Sequence, residues 1–118
     1  MNKEATKISH INITVRLDEN DVPVEIKWDA MDGKEKSACK SLLLSIWDGK
    51  DNNTVKIDLW TKDMLVDDMK KFYHQTLLSL AETFERATNE TQMAQDMRDF
   101  SIYFASQMKL LAEKEEGH

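Results

Sequence analysis

Cys39, His10 and His74 are the residues whose types could support nucleophilic chemistry, with a thiolate attacking and an imidazole taking its proton. Cys39 lies on an apolar stripe, where a thiol behaves as a small core hydrophobe. His74 follows the apolar Tyr73 and shares its helix face with Lys70, Lys71 and Leu78, a rim environment. His10 stands on the polar side of an alternating segment with no acidic neighbour at ligand spacing. Asp67, Asp68, Asp96 and Asp99 could in principle bind a cation. However, adjacent residues on a helix point about 100° apart, and no Glu-x-x-His pattern accompanies them. HExxH, CxxC, G-x-S-x-G and glycine-rich phosphate loops are all missing, and three glycines are too few for most cofactor cradles. The expectation is no enzyme, no catalytic residue, no metal and no cofactor. The seven methionines fall mostly on apolar helix stripes and read as core filler.

Trp60 is different in kind. The alternation that turns Ile57 and Leu59 inward turns Trp60 outward beside Asp58, and an exposed tryptophan suits an interface anchor. Cross-strand neighbours or the loop at 62–65 could equally shield it.

The elements that must position these residues follow from period. Ile11, Ile13, Val15 and Leu17 alternate with His10, Asn12, Thr14 and Arg16, a strand with one wet face. Asp18-Glu19-Asn20-Asp21 supplies turn residues, and Val22, Val24, Ile26 and Trp28 form a second apolar row, so the two strands make a hairpin. Pro23 has no N–H for a ladder, which places the second strand at a sheet edge. Residues 34–49 read as a helix with Ala38, Cys39, Leu42, Leu43 and Ile46 on one stripe, Leu44 and Trp47 widening it, and Gly49 ending it. Val55, Ile57 and Leu59 mark a third strand.

A second helix spans about Val66 to Arg86, with Met69, Phe72, Tyr73, Thr76, Leu77, Leu80, Ala81 and Phe84 repeating at three and four residues. Asp67 and Asp68 suit the positive end of its dipole. Asn89 and Gln92 form a capping-box arrangement for a last helix, whose Met93, Met97, Phe100, Phe104, Met108 and Leu111 pack back on the second as a helical hairpin. The expected fold is therefore α+β: a three-stranded antiparallel sheet of order 2-1-3, covered on one face by three helices, in the order β-β-α-β-α-α. One domain, 1–118, with flexible ends at about 1–6 and 113–118, accommodates it.

Composition narrows the partners. A net charge of −6 disfavours nucleic acid and anionic membrane, since such affinity rests on Lys and Arg. Lys34, Lys36 and Lys40 read as a solvated face beside Glu35. With no apolar leader, no spanning segment and a single cysteine, the expected location is cytoplasmic, without direct membrane insertion.

Several stretches together carry a resemblance. They are Ile57-Asp58-Leu59-Trp60-Thr61-Lys62-Asp63-Met64, Val66-Asp67-Asp68-Met69, Phe72-Tyr73-His74-Gln75-Thr76-Leu77 and Glu82-Thr83-Phe84-Glu85-Arg86-Ala87-Thr88. To these add Leu17-Asp18-Glu19-Asn20, Val22-Pro23, Trp28, Leu43-Leu44-Ser45-Ile46-Trp47-Asp48 and Met97-Arg98-Asp99-Phe100. With these residues the chain resembles the GldC family of gliding-motility proteins of Bacteroidetes, over nearly all its length except the two ends. It departs at Leu65, where the family usually has proline. The resemblance implies a cytoplasmic accessory protein of gliding, in a system associated with type IX secretion, with no established catalysis. The expected activity is that of a protein-interaction module whose partner belongs to the gliding machinery or is a second copy of the chain. The surface it would use comprises His10, Asn12, Arg16, Asp58, Trp60, Lys62, Asp63 and His74. The competing expectation is a small-ligand-binding protein or enzyme with a pocket between sheet and helices, and a weaker one is capture of an extended peptide at the edge carrying Pro23.

Overall fold

A computed structural model describes residues 6–30 and 35–110, which fall in two compact units, 1–64 and 65–118. The expected flexible tail at 113–118, all but Thr6 of the flexible start, and the loop around Asp32-Gly33 lie outside the described residues, as do the side chains of Lys34 and Lys36.

Among the described residues the elements of the first unit are all strands: β1 (Ile11–Leu17), β2 (Pro23–Ala30), β3 (Glu35–Cys39), β4 (Ser41–Asp48) and β5 (Asn53–Trp60). The hairpin read from alternation is present, with Ile13 opposite Trp28 and Val15 opposite Ile26, and Ile26 fully buried. The rest of this half departs from expectation. Residues 35–48 form two strands in place of the expected helix, and the order 2-1-3 with three helices gives way to two sheets, β1-β2-β3 and β4-β5, with two helices in the second unit.

The cause lies in the Leu42-Leu43-Leu44 run, which fits a helical stripe and a strand equally well. What decides is the partner across the ladder: Leu42 faces Leu59, Leu44 faces Ile57 and Ile46 faces Val55, three apolar pairs of the kind that stabilise a sheet. Gly49 accordingly sits in the β4–β5 hairpin loop instead of ending a helix. There Asn52 adopts a left-handed φ of 55° and its N–H donates to the Asp48 carbonyl at 2.8 Å. Trp47, expected in the core, is exposed on β4.

Pro23 is also corrected. Its strand is the middle one of three, not an edge. The missing N–H is tolerated because Pro23 is the first residue of β2, opposite Leu17 where the register shifts and Val24 is the extra residue. β1, expected at the centre, is the terminal strand.

The second unit is the helical hairpin the 3.6-residue periodicity predicts: α1 (Val66–Thr88) and α2 (Thr91–Gln107). α1 runs for about 35 Å at 1.5 Å per residue. Asp67 and Asp68 occupy its first turn, as the dipole favours. Its buried residue is Ala81, and those of α2 are Ala94, Ser101 and Ala105. Arg98 and Glu85 form an ion pair across the hairpin. The large members of the stripes lie to the side of this small-residue contact: Leu77, Met93, Met97 and Phe100, with Asp96, line an open groove of about 270 Å³, and Leu80 is exposed.

The connection between the helices differs from the expected capping box. Asn89 caps the C-terminus of α1 in the left-handed region, φ 63°, with its N–H donating to the Glu85 carbonyl at 2.8 Å. Gln92 reaches forward instead of back to the cap, its Nε2 donating to Asp96 Oδ1 at 3.1 Å.

Candidate functional site

The two sheets of the first unit meet at a seam, and the residues there come from two stretches of sequence far apart. β4 leaves the line of β3 at Lys40, and the chain leaving β5 is held on both sides. The Thr61 N–H donates to the Lys40 carbonyl at 2.9 Å, and the Lys62 N–H donates to the Pro23 carbonyl at 3.1 Å. Thr61 is 3% exposed, with its hydroxyl donating to Asp63 Oδ1 at 2.6 Å.

Asp18 fastens this seam from the β1–β2 turn. Its Oδ1 accepts the N–H of Asn20 at 2.8 Å and of Val22 at 3.0 Å, an Asx turn. Its Oδ2 accepts Lys62 Nζ at 2.7 Å. Every one of these donors favours the carboxylate over the acid. Led by the Lys62 ammonium and followed by the two backbone N–H groups, they hold Asp18 down at about 2. Asp63 is likewise held below the usual carboxylate range, first by the Thr61 hydroxyl and then by Lys40, whose Nζ is 3.6 Å from Oδ2.

Beside the seam, Val22, Pro23, Asp58, Leu59, Trp60 and Lys62 line an open groove of about 240 Å³. Trp60 is 55% exposed in it. Alternation leaves its exposure open; the structure turns it outward from a strand end held by backbone hydrogen bonds on two sides. Asp58 pairs with Lys56 at 3.5 Å and Lys62 with Asp18, so the charges around the indole are matched within the unit.

Of the residues marked in the sequence, Asp58, Trp60, Lys62 and Asp63 come together here. His10, Asn12 and Arg16 belong to the β1 side. His10 is exposed just before the strand, Asn12 Nδ2 donates to Asp29 Oδ1 at 3.0 Å, and Arg16 Nη1 donates to Glu25 Oε1 at 3.0 Å. That Arg16 guanidinium, followed by Lys27, lowers the Glu25 carboxyl from its ordinary value. His74 is half-buried on α1, in the helical unit. Cys39 is a free, half-buried thiol on β3 opposite Ile26. Among the described residues, no cluster of three or more His, Cys, Asp or Glu side chains could hold a metal ion, and no helix is long and apolar enough to cross a membrane. Asp18 is a seam residue that its local pattern marks only as part of a turn. Its place at the head of Asp-Glu-Asn-Asp is the available signal.

The seam also unites two of the segments that carry the family resemblance, Leu17 to Pro23 and Ile57 to Met64. Residues 23–110 match the family described as Gliding motility-associated protein GldC-like. The chain belongs to this family. Its membership associates it with gliding motility. No curated protein and no solved structure matches the chain.

Proposed function

We propose that this GldC-like chain is a non-catalytic, cytoplasmic accessory protein of gliding that acts by binding another protein through the Trp60 groove. The observation that carries this reading is Trp60 itself: a large, rigid aromatic more than half exposed, on a strand end fixed by Lys40 and Pro23, with apolar Val22, Pro23 and Leu59 around it. Aromatic anchors of this type lose little conformational freedom on binding and account for a large share of interface energy. The neighbouring carboxylates and ammonium groups neutralise one another, which suits shaping a docking surface more than moving protons. The partner on this reading belongs to the gliding machinery or the type IX secretion system associated with it.

The test replaces the chromosomal copy in a gliding bacterium with Trp60→Ala and, as control, Trp47→Ala, a comparably exposed tryptophan outside the groove. Both variants should melt like the natural chain, since neither indole is buried. Colony spreading should fall with Trp60→Ala alone. Spreading at the natural rate with folded Trp60→Ala at normal abundance would overturn the assignment.

A further inference from the structure

We propose that β1 pairs with β1 of a second copy, antiparallel and centred on Thr14, so that the two β1-β2-β3 sheets join into one. This concerns the outer edge of β1, whose residues line no part of the Trp60 groove, and stands or falls without that groove.

β1 is the terminal strand of its sheet, with β2 its one ladder neighbour among the described residues. Exposed edges usually carry a blocking device: a proline, charged side chains, a charge on the inward face, or a bulge that twists the edge away. β1 has no proline, its inward row is Ile11, Ile13, Val15 and Leu17, its one charged side chain, Arg16, is paired with Glu25 of its own sheet, and the one register shift falls at its last residue. Its two outer apolar residues are uncovered, Ile11 at 73% and Leu17 at 51%, while Ile13 and Val15 between them are half-buried.

A twofold axis through Thr14 resolves this pattern. It sets Ile11 against the second copy's Leu17, Ile13 against Val15, and the reverse of each by symmetry. On the other face it sets Asn12 against Arg16, twice. Those two side chains are complementary in chemistry. Asn12 spends its amide N–H on Asp29 and keeps its oxygen as an acceptor, while Arg16 spends Nη1 on Glu25 and keeps further guanidinium donors. The joined face then runs Asp29, Asn12, Arg16, Glu25 across the axis, acceptors alternating with donors. Moving the axis to Ile13 would leave Leu17 against Ser9 and set Arg16 against His10, losing both matches.

The test uses the full chain. The natural protein should sediment as a dimer at about 100 μM, a concentration that reveals any dissociation constant up to that size. Asn12→Arg keeps an ion-pair partner at its own Asp29 but faces the second copy's Arg16, so its dimer should dissociate about tenfold more readily at low salt, with an unchanged melting curve at dilutions where both chains are monomeric. Thr14→Cys with Cys39→Ala should form an intermolecular disulfide on mild oxidation. Residues directly opposed across an antiparallel pair have Cα atoms about 4.5–5.5 Å apart, within disulfide reach. Ser45→Cys with Cys39→Ala, on exposed β4, is the control and should link about tenfold more slowly. A monomer at that concentration overturns the proposal, as does a dimer in which position 14 links no faster than position 45 or in which Asn12→Arg has no effect.

Discussion

Asp18 accepts three donors, two from its own turn and one from Lys62 forty-four residues away, and so ties a local turn to the meeting of two sheets. A carboxylate held at about 2 when folded, against 3.8 ordinarily, binds protons less readily in the native state. Its contribution to stability is present above about pH 4 and is lost as pH falls from there towards about 2. Asp18→Asn should therefore lower the urea midpoint at neutral pH, and the gap to the natural chain should close by about pH 2. A gap that stayed constant over that range would show that the carboxylate's charge contributes nothing. Exposure of Lys62 means that added salt should narrow the neutral-pH gap. In the sequence Asp18 is legible as a turn residue only, because an Asx turn is a local pattern and the arrival of Lys62 depends on a strand path that no local pattern encodes.

At the scale of elements, what is legible divides by length of period. α1 can be read from twenty-three residues whose apolar positions match a 3.6-residue repeat, and β1 from a seven-residue alternation. β3 and β4 cannot, since Leu42-Leu43-Leu44 suits either period, and only the facing row of Val55, Ile57 and Leu59 makes it a strand. Pro23 reads as an edge signal, but the first position of a central strand meets the same constraint. Asn89 reads as the opening of α2 when it closes α1, because asparagine serves both as an N-cap and in the left-handed region. Its φ of 63° costs a residue with a Cβ roughly 1–2 kcal/mol and costs glycine nothing. Asn89→Ala should lower stability by about 1 kcal/mol while Asn89→Gly leaves it level or slightly higher, as chemical denaturation would measure. Equal losses in both variants would place the role of Asn89 in its side chain instead of its backbone.

For the whole molecule, the GldC-like family ties the chain to gliding, and the residues of the family resemblance include two remote segments that converge at the seam. Outward residues such as Asp58, Trp60, Lys62 and Asp63 add nothing to a strand's apolar row, yet they form the groove and the seam together with Asp18, Val22 and Pro23. The exposure of Trp60 is half legible, since alternation fixes which face a side chain takes and not what covers that face. The central claim is that another protein docks on this groove. A photo-crosslinking amino acid placed at position 58, in the groove beside an intact Trp60, and separately at the exposed position 47 outside the groove, tests it in living gliding cells. Irradiation should give a discrete covalent adduct between the position-58 variant and one other protein, and none from position 47. No adduct at position 58, or the same adducts from both positions, would contradict the claim.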